Sequence, residues 1–170
     1  EGKALLFKHF ANVDAVPIVL DVHQPEEIIA AIKAIAPSFG AINLEDIAAP
    51  KCFEIEERLK AELDIPVFHD DQHGTAVVVL AGLINSMKVV GKNLADCKVV
   101  MIGAGAAGTA IAKLLHAYGV HNIYAVDSRG IISDERDDLN AEKTALKQYL
   151  KTDINGSLDD AITDTDIFIG

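Results

Sequence analysis

Cysteine and positive charge are both scarce in this sequence. Among 170 residues there are two cysteines, Cys52 and Cys97, far apart and without the paired spacing of a zinc site or a disulfide framework. Reduced thiols of a cytosolic protein fit that pattern. Lysine and arginine number 15 against 26 acidic residues, a formal net charge of −11. A surface of that sign repels phosphate backbones and anionic bilayers, so neither nucleic acid nor a membrane is expected as a partner. Long apolar runs are missing too. The longest, Ala76 to Ile84, falls well short of the roughly 20 residues that cross a bilayer. No basic-then-apolar leader opens the chain, and no repeat or low-complexity tract interrupts it. A soluble, cytoplasmic protein is expected. The chain opens on Glu1-Gly2-Lys3 without Met and stops on the apolar Ile167-Phe168-Ile169-Gly170, which reads as a fragment cut at both ends.

What is present alternates in a regular way. Ala15 to Val22 is a short Val- and Ile-rich run that reads as a buried parallel strand. Pro25, Glu26 and Glu27 start a helix with Ile28, Ile32 and Ile35 at helical spacing, ended by Pro37 and Gly40. Ala41 to Leu44 is the next strand, Pro50 to Leu63 a helix, and Ile65 to Phe68 a third strand. Gln72 to Lys88 predicts a long buried helix. A strand at Lys98–Ile102, a glycine-rich turn, a helix to Tyr118 and a strand at Asn122–Val126 follow. Ser133 to Asn140 is polar and reads as a surface loop; helices over Ala141–Lys151 and Ser157–Ile162 precede a last strand. The alternation implies an α/β protein of two parallel-sheet lobes. Residues 1–70 form the first, and 71–170 the second, an incomplete Rossmann-type fold.

Gly103-Ala104-Gly105-Ala106-Ala107-Gly108 is G-x-G-x-x-G, set between an apolar strand and an Ala/Leu-rich helix. The first glycine allows the turn, the second lets backbone approach a pyrophosphate, and the third lets helix pack on strand. The helix N-terminus then faces the phosphates with free N–H groups. Asp127 closes the next strand roughly 20 residues beyond the last glycine, where an acid accepts both ribose hydroxyls and repels a 2′-phosphate. NAD is therefore expected over NADP. Arg129 lies two residues further on and could serve a 2′-phosphate or be a solvated loop arginine.

Two acid pairs sit at strand ends: Glu45-Asp46 and Asp70-Asp71. Open parallel sheets bind ligands beyond the carboxyl ends of their strands, and neighbouring strands lie about 4.8 Å apart. Four carboxylates that close together call for a hard cation such as Mg²⁺ or Mn²⁺. The competing reading is that each pair caps a following helix. His69 and His73 have zinc-protease spacing, but Asp rather than Glu follows the first, so they are expected instead to line a cleft.

Taken together, these segments resemble the malic enzyme family, of the bacterial type, over essentially the whole chain. The resemblance rests on Glu1 to Lys8, on Ile42-Asn43-Leu44-Glu45-Asp46, on Phe68 to Ala76 (FHDDQHGTA), on the glycine fingerprint and on the strand ending at Asp127. It implies oxidative decarboxylation of malate to pyruvate with a dinucleotide and Mg²⁺ or Mn²⁺. Glu45, Asp46 and Asp71 fall on the metal-ligand positions, Asp70 on an active-site acid, and Lys3 on the general base. It also implies a homodimer or larger homo-oligomer. The family's proton-donating tyrosine matches none of Tyr118, Tyr124 and Tyr149, so this stretch alone is expected not to complete turnover. A malolactic-type enzyme that yields lactate with bound NAD, and a non-catalytic NAD-binding module, are the alternatives.

Overall fold

The computed structural model describes all 170 residues. Thirteen elements follow in chain order: α1 (Gly2–Ala11), α2 (Pro25–Ile35), β1 (Ile42–Leu44), α3 (Lys51–Glu62), β2 (Val67–His69), α4 (Asp70–Val90), β3 (Val99–Ile102), α5 (Ala106–Tyr118), β4 (Ile123–Asp127), β5 (Gly130–Ile131), α6 (Ala141–Leu146), α7 (Leu158–Ile162) and β6 (Ile167–Ile169). The expected α/β class holds.

The first sheet has two strands, β1 and β2, parallel with Leu44 beside His69. Ile28, Ile29 and Ile32 of α2 and Ile55 and Leu59 of α3 close over Leu44 and Val67 to make its core. Pro25 opens α2, and a Gln24–Glu27 capping box satisfies its first turn. The second sheet has the order β5-β4-β3-β6, all parallel except the antiparallel β4–β5 pair. Both its faces are covered. Val99, Met101, Ile123 and Ala125 pack towards α5, whereas Val100, Tyr124 and Val126 face Ala161 of α7. This two-sided burial explains why the strands read as continuous apolar runs.

Several expectations need correction. Ala15–Val22 is not a strand. It has no ladder partner and Val19 is 96% exposed, because β1 and β2 pair only with each other; only Val22, at its end, packs on the first core. The predicted long helix forms, but only Gln72 and Ala76 are buried. Ala76, Val79, Leu80, Leu83, Ile84 and Met87 make a stripe at helical spacing on the α5 side, and Val77, Val78, Val89 and Val90 are exposed. At 21 residues α4 is long and apolar enough to cross a membrane by composition alone, yet one face packs on α5 and its first turn carries Asp70 and Asp71. The Ser133–Asn140 loop is polar as expected but not wholly superficial, since Ser133 is fully buried. The predicted helix at Ala141–Lys151 stops at Leu146 and continues as a 3-10 turn to Tyr149. α1 and the short β5 were not anticipated.

Two glycines of the fingerprint do different jobs. A Cβ on Gly108 would overlap the carbonyl of Gly103, whose own N–H is tied to Val126 O at 2.8 Å, so helix and strand could not keep their spacing. A Cβ on Gly105 would meet nothing within 4 Å. Gly108→Ala should therefore lower unfolding free energy by about 1–3 kcal/mol in urea titrations, the usual cost of overpacking. Gly105→Val should stay within about 0.5 kcal/mol of the parent protein; the reverse order would contradict this packing account.

Candidate functional site

The acids meet because β1 and β2 are parallel and in register. Leu44 lies beside His69, so Glu45 and Asp70 leave the two strand ends side by side. Asp46 follows in a left-handed conformation, φ 57°, which turns the chain so that its backbone N–H donates to Asp71 Oδ2 at 3.2 Å. Carboxylate oxygens of Glu45, Asp46 and Asp71 lie within 4.8 Å of one another. Asn43 Nδ2 donates to Glu45 Oε2 at 2.9 Å. An all-oxygen set of three carboxylates suits a hard cation such as Mg²⁺ or Mn²⁺. The donor chemistry fits the group.

Lys3, on the first turn of α1, reaches the same place. Its Nζ lies 2.5 Å from Asp70 and 3.4 Å from Glu45. The hydrogen bond to Asp70 outweighs partial burial and raises the amine above its ordinary value, so here it is an ammonium counter-ion. Tyr118, Tyr124 and Tyr149 all belong to the second lobe; Tyr124 donates to Asp153 at 3.1 Å.

The two histidines do not line a common cleft. His69 is fully buried, with Nε2 3.2 Å from Ile47 O and Nδ1 without a partner. His73 Nε2 instead contacts Glu56, at 2.7 and 3.0 Å to its two oxygens. Glu56 was not singled out in the sequence. It also accepts from His69 N and Gln72 Nε2, both at 3.2 Å, and pairs with Lys60 at 2.8 Å. Burial pushes its carboxyl up, and Lys60 and His73 more than reverse this, leaving it below the ordinary value.

The glycine turn sits where expected, at the carboxyl end of β3, with Gly103 at φ 97° and α5 starting at Ala106. Ala104 and Gly105 line a cleft of about 300 Å³ with Ala49, Pro50, Asn140 and Lys143, so the loop before α3 faces the fingerprint. A larger cleft, about 550 Å³, lies between α3 and α5–α6 and contains none of the acids.

Asp127 ends β4 as predicted, but its carboxylate is already engaged. Arg136 donates to both oxygens at 3.0 and 3.3 Å, Lys143 at 2.5 Å, and the Arg129 N–H at 2.9 Å. The Arg129 side chain, largely exposed in the turn after β4, pairs with Asp138 at 2.7 Å. Arg136 and Lys143 were invisible as partners because nothing in a loop's sequence says which way it folds back. Burial pushes the Asp127 carboxyl up, yet Arg136, Lys143 and the Arg129 N–H bring it down to about 2.

A parallel sheet with this glycine turn, joined through one helix to a second parallel pair with acids at its strand ends, defines a two-lobed dinucleotide-binding α/β protein. Residues 1–60 match the family model of the malic enzyme N-terminal domain, and residues 72–166 match that of the malic enzyme NAD binding domain. The chain belongs to the malic enzyme family. It is 60% identical to the NAD-dependent malic enzyme of Geobacillus stearothermophilus and 55% identical to the bifunctional malic/malolactic enzyme of Bacillus subtilis. Those matches take in 100% of this chain but 36% and 42% of the relatives, so the chain spans about two-fifths of their length. The NADP-dependent malic enzyme of Escherichia coli is 46% identical over all of this chain and 22% of its own. The crystal structure of the NAD-dependent malic enzyme of Thermotoga maritima superposes with a TM-score of 0.92 at 48% identity, over 99% of this chain and 46% of that one.

The engaged state of Asp127 has a pH signature. Its folded value of about 2 lies below the ordinary 3.8, so its contribution is fully present above about pH 4 and is lost as pH falls through the folded value. The difference corresponds to about 2 kcal/mol for a side chain 7% exposed. Unfolding titrations should show stability already declining from pH 4 to 3, and Asp127→Asn should flatten that limb. An equally steep limb in the variant would assign the acid sensitivity to other carboxylates.

Proposed function

We propose that this chain is the metal- and dinucleotide-binding portion of an enzyme that oxidises malate and decarboxylates the product to pyruvate. Residues 1–70 would serve substrate and metal, and 71–170 the dinucleotide. The observation that carries the reading is the meeting of Lys3, Glu45, Asp46, Asp70 and Asp71 at the ends of β1 and β2. Four carboxylates against one lysine leave a local charge of about −3, which a divalent cation offsets. Glu45, Asp46 and Asp71 would hold Mg²⁺ or Mn²⁺, whose contribution when bound is Lewis-acid polarisation of the substrate oxygens. The nicotinamide supplies the hydride acceptor.

Within this frame Lys3 takes the proton of the malate hydroxyl as hydride leaves the adjacent carbon. Without a cation the amine is held protonated by Asp70. Positive charge among the acids removes part of that hold, so a free amine becomes accessible. Asp70 keeps the amine aimed at the site. NAD is the favoured dinucleotide because Asp127 lies where ribose hydroxyls are read. Arg136 and Lys143 beside it soften its repulsion of a 2′-phosphate, so discrimination against NADP should be narrow. The bifunctional relative favours lactate formation as the second reading.

In the full-length protein, malate should drive NADH formation that requires Mn²⁺ or Mg²⁺, slower but measurable with NADP. Lactate without net NADH would select the malolactic reading, and no turnover with tight NAD binding would leave a binding module. Calorimetry should show Mn²⁺ affinity reduced strongly in Asp71→Ala; unchanged affinity would remove Asp71 from the ligand set.

Lys3→Ala should lower turnover by about 10² to 10⁴, the usual worth of a general base, with far less change in malate affinity. Partial rescue by a small external amine is expected. Near-normal turnover in that variant would show that the proton leaves by another route.

A further inference from the structure

We infer that Glu56 is a positioning residue for the acid cluster, its carboxylate clamping the first turn of α4 to α3 and so setting where Asp70 and Asp71 stand. The inference rests on Glu45, Asp46 and Asp71 being metal ligands. Glu56 is 5% exposed, between the fully buried Cys52 and Leu59 on the inner face of α3. A carboxylate there is costly to desolvate, and an apolar residue would fill the space without that cost, so what Glu56 adds lies in what its hydrogen bonds direct.

Those bonds converge on one short segment. His69 N, immediately before the acids, donates at 3.2 Å; Gln72 Nε2 and His73 Nε2, immediately after them, donate at 3.2 and 2.7 Å. The backbone on one side of Asp70-Asp71 and the side chains on the other are thus fixed to a single group. The first bond sets the end of β2, and the other two set the rotation of α4 about its axis. That rotation places Asp71 Oδ2 at the Asp46 N–H, 3.2 Å away. Groups behind the ligands commonly orient a metal set in this manner. Lys60 is different: it lies one turn along α3 itself, so it balances the charge of Glu56 at 2.8 Å without touching α4.

That difference separates positioning from packing. In the full-length protein, Mn²⁺ affinity is measured by calorimetry for Glu56→Gln, His73→Ala, Lys60→Met and Asp71→Ala, with NAD affinity as the control. Glu56→Gln should weaken Mn²⁺ about 10- to 100-fold, and His73→Ala should weaken it in the same direction. Lys60→Met should leave it unchanged, and NAD affinity should stay at the parent value throughout. If Asp71→Ala weakens Mn²⁺ while folded Glu56→Gln and His73→Ala bind it normally, Glu56 is a packing group only and the inference is wrong. Equal weakening by Lys60→Met and His73→Ala overturns it as well, since net charge would then be the cause. If Asp71→Ala leaves Mn²⁺ affinity intact, the ligand reading itself fails and takes the inference with it. Should Glu56→Gln not fold, His73→Ala decides alone, because that side chain is 39% exposed and its removal is tolerable.

Discussion

A strand that becomes a helix with no loop between them constrains both, and the junction of β2 and α4 at His69–Asp70 is such a point. Its direction is fixed from below by the register of β2 against β1 and from above by the packing of α4 on α5. The acids at this junction therefore inherit their position from two cores at once. A loop there would have let Asp70 and Asp71 wander. The hydrogen bonds gathered by Glu56 hold the junction at its narrowest place, where the backbone changes from extended to helical.

The two charged clusters handle charge in opposite ways. At the strand ends of the first sheet, four carboxylates meet one lysine, and the remaining negative charge suits a small cation. At the end of β4, Asp127 and Asp138 meet Arg129, Arg136 and Lys143, a surplus of one positive charge on a chain that is −11 as a whole. On the proposed function, that surplus would favour the approach of a nucleotide's phosphates. Asp127 is thus no isolated acid waiting for a ribose. To read a ribose, as proposed, it would have to exchange or share its existing partners.

How much of this could be read from residues depends on the range of the interaction involved. The glycine turn was legible because strand, turn and helix are contiguous, and Gly103 and Gly108 answer local needs of the turn and the helix packing. The acid pairs were legible because they follow recognisable strands, whose parallel pairing brings their ends together. Ala15–Val22 misled because composition reports what a segment could bury, whereas a strand exists only beside a partner. The half-exposed α4 misled for a related reason, since valines on its outer face look the same as those facing α5. Glu56 stood among the charges of E-I-E-E-R, yet its phase with Cys52 and Leu59 on α3 marked it as inward. That periodicity was a usable signal. Arg136 and Lys143 left none, because their meeting with Asp127 depends on how the 133–140 loop folds back.

The remaining link is between metal and dinucleotide. On the proposed function, hydride transfer would require a reacting carbon held near the acids to sit within van der Waals reach of a nicotinamide held from the glycine turn. In this chain the acids lie on the first turn of α4 and the glycine turn leads into α5. α4 packs against α5 through a stripe from Ala76 to Met87, in one core with Ala110, Ile111 and Leu115. The distance between the two binding elements is therefore set chiefly by a helix–helix interface rather than by a flexible connection.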